Sequence, residues 1–301
     1  MKSEEIISKI MELKNRRKAI LLVHNYQRPE VQDISDHIGD SLELSRKAAK
    51  ADAEVIVFCG VHFMAETAAI LNPDKIVLLP EEKAGCPMAD MITRDSLLEL
   101  KKKHPEAVVV AYVNTSAEVK AEADVCCTSA NAVEIVASLP GEKEIIFVPD
   151  KYLGSYVGNK LGRKMILWPG YCPTHVAILA ENVKKAKSEH PEAKVIVHPE
   201  CTTDVIALAD EVKSTNGMCK FALETETKEI IVGTETGILH RMRRENPTKK
   251  IYPVSENVVC HNMKSITLEK ILWSLEDLKP RIVVPEETRV RAIKAIEAMI
   301  K

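Results

Sequence analysis

Three cysteines carry the first chemical signal in this sequence. Cys86, Cys172 and Cys260 lie 86 and 88 residues apart. Each follows an apolar segment, a proline (Pro80, Pro169, Pro253) and a short loop. The loops read Gly85-Cys86-Pro87-Met88, Tyr171-Cys172-Pro173-Thr174 and Val259-Cys260-His261-Asn262. Thiolates are ligands for soft metals, and three of them in equivalent loops could meet at one point. Structural zinc usually draws on paired ligands at short spacing, which Cys172-Pro173-Thr174-His175 approximates only loosely. Single cysteines from separate units suit an iron–sulfur cluster better. Three thiolates leave one iron of a [4Fe–4S] cube open, and an open iron can polarise a hydroxyl or carbonyl as a Lewis acid. Cys59, Cys126, Cys127, Cys201 and Cys219 lack threefold partners and read as small core residues, although Cys201 follows Glu200 directly.

The register of the cysteines extends to other positions. His104-Pro105-Glu106-Ala107 returns as His190-Pro191-Glu192-Ala193. Spacings of 88 and then 86 residues align His24 with Tyr112 and His198, and Tyr26 with Asn114 and Glu200. They also align Asp36 with Asp124 and Asp210, and Ser41 with Ser129 and Thr215. Glu200 is the only carboxylate of its column and is the candidate general base. A histidine at a strand end is commonly a hydrogen-bonded structural residue, but six polar side chains in repeated positions favour a site. Serine and threonine at helix starts are usually caps; three such starts aimed at one axis would also hold a phosphate or carboxylate. No GxGxxG or Walker A run supports nucleotide binding.

The elements that must position these residues alternate. Apolar strand-sized runs (Ala19–Val23, 54–58, 75–79) are separated by helical patterns near 41 and 63–71. The order repeats at 108–113, 144–148 and 164–168, and again at 194–197, 229–232 and 249–252. Alternation of this kind predicts an α/β fold with parallel sheets flanked by helices, and ligands there bind beyond the carboxyl ends of the strands. A repeat this long exceeds solenoid periods, so each unit reads as a small domain: 1–103, 104–189 and 190–280, with a terminal helix in 281–301 near the first. The polar columns fall at strand ends, and helix starts are expected at Asp40-Ser41, Thr128-Ser129 and Thr215.

Composition narrows the class. The 301 residues are 46% hydrophobic with a net charge of −2, so no basic field exists for nucleic acid or an anionic membrane. Aromatics at 4% disfavour a stacking surface for single strands. No apolar run is long enough to span a bilayer. Met1-Lys2-Ser3-Glu4-Glu5 lacks a signal-peptide core, so a cytoplasmic protein is expected, in which eight cysteines point to metal or catalysis rather than disulfides.

Taken together, the motifs resemble the quinolinate synthase family of NAD (pyridine nucleotide) biosynthesis. They are His24-Asn25-Tyr26-Gln27, Gly39-Asp40-Ser41-Leu42, Gly60-Val61-His62-Phe63-Met64-Ala65-Glu66, Cys86-Pro87-Met88 and Tyr112-Val113-Asn114. The match continues through Thr128-Ser129-Ala130-Asn131, Cys172-Pro173-Thr174-His175, His198-Pro199-Glu200-Cys201, Ser214-Thr215 and Cys260-His261-Asn262-Met263-Lys264. The resemblance implies three homologous three-layer αβα domains about a pseudo-threefold axis. It implies a [4Fe–4S] cluster on Cys86, Cys172 and Cys260 as a non-redox Lewis acid in a transferase. The implied reaction condenses iminoaspartate with dihydroxyacetone phosphate to quinolinate, phosphate and water, the imine being supplied by L-aspartate oxidase or aspartate dehydrogenase. By position, Glu200 is implied as acid/base residue, Tyr26 as a mobile residue handling the triose, and His24 and His198 as catalytic substrate contacts. Tyr112, Val113, Asn114, Ser41, Ser129, Thr215 and Pro199 are implied in substrate binding. Some members carry a CxxC redox switch near the last ligand; with His261-Asn262-Met263 after Cys260, that switch is not expected here.

Two other classes compete. The isoprenoid-pathway dehydroxylase and the diphthamide radical enzyme are similar threefold arrangements with one cysteine per domain, and both need an electron donor. A cluster sensor or scaffold would have no need of Glu200 and would need a partner or DNA surface, which the charge balance does not offer.

Overall fold

The computed structural model describes residues 2–300. Its frame is three four-stranded sheets. The first contains β1 (Ala19–His24), β2 (His37–Gly39), β3 (Val55–Cys59) and β4 (Ile76–Leu78) in the order β2-β1-β3-β4. The second contains β5 (Val108–Tyr112), β6 (Val125–Cys127), β7 (Ile145–Val148) and β8 (Ile166–Leu167), ordered β6-β5-β7-β8. The third contains β9 (Lys194–Val197), β10 (Glu211–Val212), β11 (Glu229–Gly233) and β12 (Lys250–Pro253), ordered β10-β9-β11-β12. Every pairing within them is parallel, so each connection crosses over through helical chain. The fold is α/β with one sheet plan used three times, as the alternating pattern predicted.

The central strands are apolar at consecutive positions because both faces are covered. Leu21, Leu22 and Val23 are fully buried, as are Val109, Val110, Ala111, Ile145, Ile146 and Phe147. Each such Val, Leu or Ile contributes roughly 1.5–3 kcal/mol of burial. The cores of the first two sheets merge with much of the third, while Val195, Val197 and Ile231 on one face of the third sheet head a separate cluster.

The aspartate column has a structural task. Asp36 Oδ2 accepts the Leu21 N–H at 2.8 Å, Asp124 Oδ2 accepts Val109 N–H at 2.7 Å, and Asp210 Oδ2 accepts Val195 N–H at 2.8 Å. Each aspartate stands at the start of the short edge strand β2, β6 or β10 and fixes it to its neighbour. This corrects the expectation that all polar columns lie at the carboxyl ends of strands. The edge strands themselves, two or three residues long, carry too little pattern to be seen in the sequence.

The cysteine loops are tied down by two further repeated contacts. His62 N–H donates to Ala84 O at 2.8 Å, Lys151 to Gly170 at 2.9 Å and Thr236 to Val258 at 3.0 Å, each acceptor lying two residues before a cysteine. After each cysteine the chain makes one helical turn, closed by Asp90, Val176 and Lys264 N–H groups on the carbonyls of Cys86, Cys172 and Cys260.

The chain end returns to the beginning. A helix over Leu268–Asp277, not anticipated from the sequence, packs against the Ser3–Arg16 helix, and Arg17 donates to Glu276 O at 3.0 Å. The helix Glu286–Ile300 lies on β6 and on the helices Ala117–Lys120 and His62–Leu71, so it spans the first two units. Glu122 ties it there, accepting from Arg291 at 2.6 Å and from Arg94 at 2.7 Å.

Candidate active site

One cavity of about 330 Å³ sits where the strand ends of all three units face each other. Four of the sequence columns line it completely: the three cysteines, the column of His24, the column of Tyr26 and the column of Ser41. Two residues named with them, Val113 and Pro199, are buried beside these positions and do not line the cavity.

Glu200 is the hub. It follows β9 and is 3% exposed. Its Oε1 accepts the Tyr112 hydroxyl at 2.5 Å, and its Oε2 lies 2.7 Å from His175 Nδ1 and 3.8 Å from His198 Nδ1. Burial works to raise the Glu200 pKa, but the nearby His175 and His198 rings and the hydrogen bonds from His175 and Tyr112 overrule it and hold the carboxylate ionised. Tyr112 responds in the opposite sense: burial, then the Glu200 charge, pushes its phenol well above the usual range, so it stays a donor.

The histidines at the strand ends are kept neutral. Burial lowers His24 to about 3, assisted by the Lys264 charge. Burial likewise lowers His198 to about 3, against the pull of Glu200. Neutral His198 meets Ser129 Oγ through Nε2 at 3.1 Å and stacks on His175 with ring centroids 4.5 Å apart. Tyr26 places its hydroxyl against Thr234 Oγ1 and 3.3 Å from His175 Nε2, and burial first, then Glu200, keeps it protonated.

The hydroxyl ring is built differently at its three positions. Ser41 and Thr215 open the helices Ser41–Ala49 and Thr215–Glu224, whose caps are Asp40 and Ser214. The caps hydrogen-bond each other at 3.1 Å, and Thr215 accepts from Asn25 at 3.0 Å, joining the first and third units. Ser129 does not begin a helix. Thr128 and Asn131 close a local turn there, and the helix starts only at Ala132. Two helix starts, rather than the expected three, therefore face the cavity. Asn114 lines the cavity with a buried side-chain oxygen that has no partner among the described residues.

The three thiols come one from each unit, and all are half-buried and free. Burial pushes Cys86 up to about 12, with its ionisation further opposed by Cys260, and it raises Cys172 well above the usual thiol, with Glu200 and Cys86 adding to it. Against this, backbone N–H groups face each sulfur: Ala89 and Met88 at Cys86, His175 at Cys172, Met263 and Asn262 at Cys260. Thiols that resist ionising together, yet are each supplied with N–H donors, fit ligands that become thiolates on a shared cationic centre. The residues present fit an iron–sulfur cluster. The other five cysteines are buried within the cores and do not line the cavity.

Sequence reasoning missed His175 and Thr234 as parts of the site. His175 Nδ1 is 3.2 Å from Cys172 Sγ, and the donor atoms of Cys172, His175 and Glu200 lie within 4.8 Å of one another. The only trace was the loose Cys172-Pro173-Thr174-His175 spacing; Thr234 left none. Among the described residues no helix is long and apolar enough to cross a membrane.

Fold and site define a class: α/β enzymes of three like units, each presenting one thiol to a shared cavity lined by acid–base groups. A family model described as "Quinolinate synthetase A protein" matches residues 8–301. Curated relatives include a quinolinate synthase of Dehalococcoides mccartyi (strain CBDB1), 58% identical over 301 residues, covering 100% of this chain and 99% of the relative. One of Desulforudis audaxviator is 55% identical over 298 residues, covering 99% and 98%. "Quinolinate synthase 1" of Methanosarcina acetivorans is 54% identical over 300 residues, covering 100% and 98%. The chain belongs to the quinolinate synthase family, enzymes of NAD biosynthesis.

Proposed function

We propose that this chain condenses iminoaspartate with dihydroxyacetone phosphate to give quinolinate, phosphate and water in the cytoplasm, with Cys86, Cys172 and Cys260 holding a [4Fe–4S] cluster. The observation that carries this reading is the opening of one thiol from each unit onto the cavity that holds Glu200. When bound, the cluster would supply an open iron as Lewis acid toward a substrate oxygen. The overall condensation moves no net electrons, so the side chains need only bind, orient and transfer protons.

Glu200 is the acid/base residue of this reading. Its carboxylate can accept a proton while Tyr112 and His175 stabilise the charged form on either side. His175 offers a second station for that proton, and the Tyr26 hydroxyl beside His175 Nε2 is the donor facing the triose. His24 and His198, held neutral, can donate or accept without adding charge. Ser41, Ser129, Thr215 and Asn114 form the polar ring for carboxylate or phosphate, with Tyr112 at its edge and Val113 and Pro199 shaping the strand ends behind it. The unpartnered Asn114 oxygen supports a ligand there. The imine comes from an L-aspartate oxidase or aspartate dehydrogenase.

Anaerobic iron and sulfide analysis, coupled to a quinolinate assay without reductant, tests the proposal. A full cluster complement and turnover of iminoaspartate with triose phosphate are expected. Strict dependence on an electron donor would overturn it in favour of a reductive enzyme.

A further inference from the structure

Tyr26 is held from behind by a second set of residues that never reaches the cavity with its own chemistry. Lys264 Nζ donates to the carbonyl of Tyr26 and, at 3.4 Å, to that of Gln27. The same ammonium pairs with Glu235 at 3.1 Å; the Glu235 side chain is fully buried and that of Lys264 is 18% exposed. Glu235 in turn accepts the Cys260 N–H at 3.2 Å and the Gly237 N–H at 2.7 Å. Arg28 closes the loop by donating to Lys264 O at 2.7 Å. Thus one ion pair grips two carbonyls of the Tyr26 segment on one side and the cysteine loop on the other.

Two independent features point to the same junction. Gln32 Nε2 reaches Asn25 O at 3.2 Å, Gln27 O at 2.8 Å and Gly237 O at 2.8 Å, so consecutive carbonyls on both sides of Tyr26 are bound to side chains. A side chain at Gly237 would come within 3 Å of Lys264 Nζ, Tyr26 O and Glu235 Oε2, so the backbone passes here at a distance only glycine allows. The residue before Glu235 is Thr234, the partner of the Tyr26 hydroxyl. One stretch of the third unit therefore meets both ends of this tyrosine. Truncating either member of a buried pair leaves an uncompensated charge, so breaking this pair is costly to the structure around it.

We propose that Glu235 and Lys264 are positioning residues, an inter-unit clasp that sets Tyr26 against His175 and Thr234 and links that setting to the loop bearing Cys260. The proposal rests on Tyr26 acting on substrate as described above; the grip on the backbone is measurable without the reaction.

The test uses cluster-loaded protein under anaerobic conditions, with Lys264→Met, the charge-neutral double variant Glu235→Gln/Lys264→Met, and Gly237→Ala. Amide hydrogen exchange over residues 25–28 is expected to quicken by about tenfold or more in each, while exchange in Ala19–His24 and the cluster absorption stay as in the parent. With substrates, kcat is expected to fall by about a hundredfold with little change in KM, as a misplaced group predicts. That loss is expected to shrink below about twofold when Tyr26 is already Phe. Unchanged exchange over 25–28 overturns the clasp. Faster exchange with an equal kcat loss in both backgrounds overturns its action through Tyr26. Because exchange does not depend on product formation, a protein that made no quinolinate would still report whether the clasp exists.

Discussion

Tyr112 and Glu200 share a 2.5 Å hydrogen bond across the boundary between the second and third units, the tyrosine donating. The bond favours the ionised carboxylate, so its removal must raise the Glu200 pKa. Tyr112→Phe is expected to move the acidic limb of the kcat profile to higher pH, since protonation then silences the base sooner. Glu200→Gln is expected to lower kcat by about 10²–10⁴ with the cluster absorption kept. Steady-state rates across pH for both variants check this.

The thiol trio makes a spectroscopic prediction. Cys86→Ser, Cys172→Ser and Cys260→Ser are each expected to lose the brown chromophore after anaerobic reconstitution. Cys127→Ser, whose side chain is fully buried in the sheet core, is expected to keep it. Absorption spectra of the four variants suffice.

Most of the site could be read in the sequence because a parallel α/β unit places its functional groups at strand ends. Repetition of the unit therefore turns linear spacing into spatial convergence. His24, Tyr112 and His198 were legible for that reason. His175 was not, because its equivalents three residues after the other cysteines are Ala89 and Met263, so no column announces it. Asp36, Asp124 and Asp210 shared the register but not the location, since a repeat aligns scaffold residues as faithfully as functional ones. Ser129 kept its place in the ring while its helix start moved to Ala132, because the Thr128–Asn131 contact closes a turn first.

Acid sensitivity follows from the neutral histidines. His24 and His198 have folded-state values of about 3, set chiefly by burial, against 6.5 when free. The unfolded chain takes up protons below about 6.5 that the folded chain refuses. Their contribution to stability is full above that pH and is lost as pH falls toward 3. The slope is at most about 1.4 kcal/mol per pH unit for each residue. Urea unfolding of the parent at pH 7 and pH 5 is expected to show the loss. His198→Asn is expected to lose less between the same two pH values.

The aspartate column offers a test of stability kept apart from chemistry. Asp124 is the cleanest member, because Asp36 and Asp210 also pair with Lys14 and Lys194. Asp124→Ala leaves the N–H of Val109, a fully buried residue of β5, without its acceptor and frees the start of β6. The expected cost is about 1–2 kcal/mol, the price of an unmet backbone donor at a partly wet edge. Asp124→Asn keeps an oxygen in place and is expected to cost less. Neither should move KM, since this carboxylate does not line the cavity. Denaturant unfolding read beside steady-state kinetics checks both halves. A KM shift in Asp124→Ala without a stability loss would mean that β6 reaches Ser129 and the substrate ring through its edge.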